Sequence, residues 1–480
     1  MTFEFVGAAA ILAGLSSLLL GRGFAIHAFL ACTLLGASAA FVLTALGSAT
    51  IQPAHVLLGF LLLVAYRATG GAILLRAVKP PSAGFFLGLT VLYGVASAFF
   101  LPRLLEGTTD VFAIARSETV STILLTPVRP VSGNITQTAY LVGNLLCFII
   151  FHALSSDKAG KRCVVDALIA CGVLNLAFAI VDQVTFVTGT AAYLGFIRNS
   201  TYSLLDATET AGIKRIVGSF TEASAFAWAS LSLFAFSLSL WLGGYRPAIT
   251  LPLAVALLIA IGLSTSTTGY VGASIYLSCL LLSNLVRLLS GTASPRRLLF
   301  LICMPALIGT AAMAAALDDE TWRYLSRLAD EVIFNKSASR SGIERASWNI
   351  QAWTNFVESH GLGIGVGSTR ASSFPLAALA TIGIFGASCY AIAVALCLLA
   401  GGRDQDPESR AIRAAASSAC FATMVSACLS GTTIDLGLVF FAYAGTAASS
   451  IRVPLAVREI DRGRARTQGL PWPASAVPIT

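Results

Sequence analysis

Apolar residues run in long blocks separated by short polar connections. The blocks fall at about 5–21, 24–47, 53–75, 84–101, 139–155, 163–183, 217–243, 248–266, 268–288, 298–317, 374–400, 411–430 and 434–451. A helix needs about 20 apolar residues to cross a bilayer. The pattern therefore predicts an all-α fold: a polytopic transmembrane helix bundle with about 12–13 spans and a large outer loop containing short helices. Block 53–75 is the weakest, because Arg67 and Gly70-Gly71 interrupt it. Blocks 248–266 and 268–288 meet in a very tight turn at Thr267. The first block lacks the pattern of a cleaved signal peptide, since no basic stretch precedes it and its polar break is Arg22. No repeat of 20–50 residues is visible, and no matching pair of Gly/Pro-broken blocks suggests inverted transporter halves.

Composition agrees with this reading. The chain is 56% hydrophobic and 11% charged, with mean hydropathy +0.81. Soluble domains average about 45–50% apolar and about 25% charged, so soluble, disordered and disulfide-scaffold classes are excluded. The ten cysteines lie in or beside apolar blocks without metal-ligand spacing. They read as small buried side chains, with no disulfide and no metal cluster expected.

The net charge of +8 reads first as a topology signal, because Lys and Arg stay on the cytoplasmic side. Eighteen of the 31 basic residues fall in short connections and the C-terminal tail, and twelve fall in three long loops at about 102–138, 184–216 and 318–373. Dense charge in short loops predicts a cytoplasmic face, which puts the long loops outside. Residues 1–451 are then a single transmembrane domain. Residues 452–480 read as a basic, Pro-containing cytoplasmic tail near anionic lipid.

Candidate chemistry collects in those outer loops. In 318–345, Trp322, Leu325, Leu328, Val332 and Ile333 recur at helical spacing and predict an amphipathic helix. Beyond it come Arg340, Arg345, Trp348, Trp353 and His360. Gly361, Gly363, Gly365 and Gly367 then alternate, followed by Ser368 and Arg370. Four glycines at period two do not make a helix interior. They suggest backbone in close approach to a ligand or to another chain segment, or a plain turn. At the end of the second loop, Lys214 and Arg215 re-enter the membrane, with Asp182 and Glu222 near the ends of the flanking blocks. Charges at such depth are often functional, and either carboxylate can pair with Arg215 or bind acceptor hydroxyls. Arg67, Arg116 and Arg129 read as structural or solvated, and His27, His55 and His152 lie in or beside blocks. His360 is then the one histidine of a polar outer loop.

The order Arg345, Trp348, His360-Gly361-Leu362 and Gly363-Ile364-Gly365 resembles the last large periplasmic loop of the O-antigen ligase and O-antigen (exopolysaccharide) polymerase superfamily. Gly361 stands where that family has Pro. Arg215, Gly218, Phe220, Phe226 and Ala227 match a second pattern, with Thr221-Glu222 in place of the commoner Pro-Asn. Ser264-Thr265-Ser266-Thr267 matches a third, without its Arg. The resemblance covers about residues 160–450.

It implies a metal-independent, cofactor-free inner-membrane glycosyltransferase that polymerises polyprenyl-diphosphate-linked oligosaccharide repeat units on the periplasmic face. Arg215, Arg345 and His360 would be catalytic. Lys214, Arg340, Glu222, Asp182, Gly365, Gly367 and Arg370 would bind substrate. Arg forks suit a diphosphate. His360 would either take the acceptor proton or donate a hydrogen bond to phosphate, and an uninvolved turn histidine is the plain alternative. Expected partners are the lipid-linked oligosaccharide and membrane lipid, with chain-length regulator or export proteins as further candidates and no nucleic acid. Transfer of the whole glycan to lipid A core, as a ligase, stays open. A transporter or flippase of lipid-linked glycan is the reading from another class.

Overall fold

A computed structural model of the 480-residue chain describes residues 2–44, 48–116, 121–200, 209–210, 213–332, 339–399 and 406–449. The tail proposed at 452–480 lies outside the described residues.

Helices follow from the apolar blocks. Among the described residues, eight are long and apolar enough to cross a membrane: α5 (Ala83–Leu104), α6 (Ser132–Leu154), α7 (Lys158–Val187), α8 (Ala223–Leu242), α10 (Thr267–Leu289), α11 (Pro295–Leu317), α14 (Phe374–Leu398) and α15 (Pro407–Ser430). Four shorter apolar helices join them: α1 (Phe5–Leu20), α3 (Pro53–Thr69), α9 (Pro247–Leu263) and α16 (Leu438–Ala448). The protein is thus an all-α, multi-pass membrane protein. The most enclosed helix is α8, which packs against α9 and α15, while α5 packs on α14 and α6 on α16. Helix α11 lies on the flank and leaves most of its apolar side chains exposed.

Block 24–47 does not form one span, which corrects the sequence reading. Its helix α2 (Arg22–Thr33) has 12 residues, about 18 Å of rise, too little to cross. The chain then leaves helical geometry because its polar groups find better partners. The Ala37 amide donates to the Ser219 carbonyl at 3.1 Å, and the Ser38 hydroxyl to the Ile197 carbonyl at 2.5 Å. A small sheet of β1 (Thr2–Phe3), β2 (Phe41–Leu43) and β3 (Ala49–Ile51) follows. Block 53–75 also divides, at Gly70, into α3 and the short α4 (Gly71–Arg76).

The short basic connections meet at one end of the bundle. Arg22 pairs with Asp157 at 2.9 Å, Lys158 with Asp406 at 3.2 Å and Arg162 with Glu408 at 2.6 Å, and Arg246 pairs with Asp166. The long connections interlock at the other end. There a hairpin of β4 (Asp110–Arg116) and β5 (Ser121–Pro127) carries α13 (Arg340–Glu358). Asn355 donates to Thr109 Oγ1 at 2.9 Å and to the Asp110 carbonyl at 2.7 Å, and Gln351 donates to the same carbonyl at 2.6 Å. The amphipathic segment forms α12 (Asp319–Val332), leading toward α13.

After α13 the chain dips into the bundle. Helix α14 is broken at Gly383, whose φ is 60°. The break frees backbone groups that a membrane environment cannot hydrate. The glycine run supplies partners. Ile364 N–H donates to the Ala380 carbonyl at 2.8 Å and Gly365 N–H to the Thr381 carbonyl at 3.1 Å, while Ile384 N–H donates to the Gly361 carbonyl at 2.9 Å. The period-two glycines are what this seat requires. A Cβ on Gly365 would sit 2.7 Å from the Ser97 carbonyl oxygen, and one on Gly367 2.2 Å from the Gly133 carbonyl oxygen.

Two outcomes are expected. A cysteine replacing exposed Thr108 should react with an impermeant maleimide from outside the cell, and one replacing exposed Thr292 only after permeabilisation; the reverse pattern would overturn the orientation. Gly367→Ala should cost about 1–3 kcal/mol, from overpacking against Gly133, read as a lower thermal midpoint of the purified protein. An unchanged midpoint would contradict the close backbone approach.

Candidate functional site

The outer end of α7 organises the site. Asp182 is 1% exposed and accepts from four donors. Arg198 reaches Oδ1 at 2.5 Å and Lys214 Nζ lies 2.7 Å from Oδ2. The backbone amides of Val217 and Gly218 donate to Oδ2 at 2.9 and 3.2 Å. Arg198 also donates to the Gly218 carbonyl. A buried carboxylate with this many donors is well compensated, and its partners are fixed with it. Lys214 lies over the Phe186 ring at 5.3 Å as well.

The connection carrying Lys214 is extended, in strand β7 (Ile213–Lys214), which pairs with β6 (Glu209–Thr210). Successive side chains of an extended chain point to opposite sides. With Lys214 and Ile216 held inward, Arg215 is turned the other way and is half-buried. Its Nε is buried with no hydrogen-bond partner among the described residues. Burial pushes the Arg215 guanidinium below its ordinary pKa, Glu222 and Tyr270 oppose that, and Arg345 adds to it. The group stays charged. Arg215 thus shares one neighbourhood with Glu222, Tyr270 and Arg345, although the four come from three separate parts of the chain.

Glu222 is the N-cap of α8 and accepts from the Ser224 hydroxyl. Tyr270, on α10 beyond the tight Ser264–Thr268 turn, donates to the Gly262 carbonyl at 2.7 Å. Arg345 stands in the second turn of α13, whose start is capped by Ser339. It is half-buried and makes no ion pair among the described residues. Trp348 and Asn349 lie three and four residues on and share its face. The Arg370 guanidinium lies 5.9 Å from the Trp348 ring and donates to Thr432 Oγ1 at 3.1 Å. Asn349 accepts from the Ser372 amide at 2.7 Å. Arg215 and Arg345, from two of the long connections, thus act on each other, with Glu222 beside Arg215 and Arg370 beside Trp348 on α13.

The other expected site residues are placed elsewhere. Lys214 and Asp182 are spent on each other and buried, so the structure corrects their reading as substrate ligands to scaffold that aims Arg215. Gly365 and Gly367 approach protein backbone, not open space, and their substrate role is corrected in the same way. His360 ends α13 at φ 52°, exposed. The length of α13 between them sets it about 20 Å along the chain axis from Arg345. Arg340 begins α13, and its side chain lies outside the described residues. Arg67 bonds weakly to the Leu18 carbonyl at 3.4 Å and does not meet a buried carboxylate. Arg198 and Tyr270 were not singled out in the sequence. Arg198 counted only as a loop charge, and Tyr270 carries no motif.

A second polar region lies deeper. A cavity of about 340 Å³ sits between α2, α3, α7, α8 and the turn before α16. His55 and Asp435 line it, and Phe220 and Thr221 form one wall beside the Arg215 connection.

The fold and the cluster define a multi-pass membrane protein with arginines of two long connections close enough to influence each other. No family model and no curated protein matches the chain, so its chemistry is read from this geometry.

Removing the buried carboxylate tests the scaffold. Asp182→Ala leaves Arg198 and Lys214 without their counter-charge, and losses of this kind run to about 3–5 kcal/mol. The thermal midpoint should fall clearly. A midpoint equal to wild type would show that Asp182 does not hold the connection.

Proposed function

We propose that the protein is an inner-membrane glycosyltransferase that joins polyprenyl-diphosphate-linked oligosaccharide units on the periplasmic face, as a polymerase in exopolysaccharide or O-antigen synthesis. One observation carries this reading: Arg215 and Arg345 lie within each other's field, although they come from different outer connections and repel. Holding two cations together is costly unless an anion binds between them. Guanidinium forks match phosphate oxygens in geometry as well as charge. A diphosphate at the membrane surface fits them, with its lipid tail among the exposed apolar side chains of the bundle.

In the transfer, an acceptor hydroxyl oxygen bonds to the anomeric carbon, and the bond from that carbon to the diphosphate breaks. The leaving diphosphate takes the electron pair, and Arg215 and Arg345 stabilise the growing charge. Fixed donors of this kind are worth about 2.7–4 kcal/mol each. Glu222, beside Arg215 and oriented by Ser224, is the carboxylate placed to accept the hydroxyl proton. His360, at the far end of α13 from Arg345, is not given this role.

A transporter reading draws on the break in α14, since broken helices mark many transporter sites. Here the freed backbone groups are bonded to the glycine run and not left open to a cargo, which favours surface chemistry.

Reconstitution in lipid with a synthetic lipid-linked repeat unit tests the reading. Products of increasing length are expected. Transfer to a lipid A core acceptor would mean a ligase, and leaflet movement without covalent change a flippase. Arg215→Lys and Arg345→Lys should each lower turnover about a hundredfold, because charge without the fork is insufficient. His360→Ala should stay within a few-fold of wild type. Near-normal synthesis by either arginine variant would sink the proposed site, and a hundredfold loss in His360→Ala would return His360 to it.

A further inference from the structure

The cavity below the arginine cluster contains polar groups that the fold does not satisfy. Both ring nitrogens of His55 are buried without a hydrogen-bond partner among the described residues. Its ring stacks on Tyr140 with centroids 4.8 Å apart, which fixes its plane. Facing it is Asp435, whose Oδ1 accepts from Asn144 at 2.9 Å and from the Gly437 amide at 2.8 Å. Asp435 lines the cavity together with His55. The Asn144 amide oxygen is buried and unpartnered as well. Leaving such groups bare costs about 1–3 kcal/mol each, and charges inside a membrane bundle are by default functional. The remaining walls include the faces of Phe220 and Trp228.

Resting on the glycosyl-transfer reading above, we propose that this cavity seats a sugar ring of the acceptor, with His55 and Asp435 gripping its hydroxyls. Its volume, about 340 Å³, lies in the range of small-ligand sites, about 300–1,000 Å³. The chemistry selects the occupant. An acyl chain would leave three polar groups unpaired. A phosphate would meet the Asp435 carboxylate. A hydroxylated ring satisfies all of them, because a hydroxyl donates and accepts. The Asp435 carboxylate accepts from hydroxyls, while neutral imidazole offers one donor and one acceptor. The apolar C–H face of the ring then packs on Phe220 and Trp228. Phe220 and Thr221 immediately precede Glu222, so a ring seated here lies beside the carboxylate that takes its proton.

The test is equilibrium binding to the full-length protein in lipid nanodiscs with two probes. One is the lipid-free repeat-unit oligosaccharide released by mild acid from the host's own polysaccharide. The other is farnesyl diphosphate. Asp435→Asn and His55→Phe, which keeps the ring stack, should each weaken oligosaccharide binding at least tenfold and leave farnesyl diphosphate binding unchanged. Ala229→Leu, which fills the cavity without touching a polar group, should do the same. Arg215→Lys should show the opposite pattern. Wild-type oligosaccharide affinity in Asp435→Asn and Ala229→Leu overturns the inference, as does a wild-type protein that binds no oligosaccharide. Equal loss of both probes in the cavity variants marks a folding role and overturns it too. Undiminished farnesyl diphosphate binding by Arg215→Lys instead removes the diphosphate reading, while the oligosaccharide arm still reports on the cavity.

Discussion

A carboxylate placed at the end of a membrane helix must be neutralised, and Asp182 is neutralised by residues of the connection that follows it. Its two oxygens receive Arg198, Lys214 and the amides of Val217 and Gly218. Those donors span the second outer connection from one side to the other. Pairing therefore closes the connection onto α7 and sets which way each side chain points. Replacing such a cluster by apolar residues is often no less stable, so its use here is better explained by direction than by stability. With Lys214 turned in, Arg215 is turned to the pocket.

The second arginine is placed by a different solution to the same problem of unsatisfied polar groups. Helix α14 breaks at Gly383, and a helix broken in lipid needs foreign donors and acceptors. The glycine run provides them and thereby ties the end of α13 to the bundle. The β4–β5 hairpin holds the same helix from its other side through Asn355 and Gln351. Arg345 and Trp348 are thus carried by a helix fixed at two places, and Trp348 in turn supports Arg370. Precision of this order is what positioning a leaving group demands.

Much of the fold was legible from hydrophobic blocks alone, since most blocks became single helices. The failure at 24–47 is instructive: apolar content cannot report that the Ala37 amide and Ser38 hydroxyl have partners more than 150 residues away. The site was legible in part. Glu222 and Arg345 both act on Arg215, although they lie in different parts of the chain. Lys214 and Asp182 were visible as charges, but the alternation that separates Lys214 from Arg215 appears only once Asp182 is seen to hold one of them. His360 follows the helix that the sequence order Arg345, Trp348, His360 implies, and stands at its far end from Arg345. The glycines were rightly read as close approach, and only the structure shows that the neighbour is protein. His55 and Asp435 stayed hidden because neither belongs to a motif.

Convergence of two repelling guanidinium groups on one dianionic group is the claim on which the rest stands. A double-mutant cycle measures it directly, using farnesyl diphosphate affinity of the wild type, Arg215→Lys, Arg345→Lys and the double variant. Residues gripping one group are coupled, by about 0.5–3 kcal/mol. The double variant should therefore lose less affinity than the two single losses combined. Losses that add within about 0.3–0.5 kcal/mol would mean that the arginines act on separate groups, and the shared diphosphate site would be contradicted.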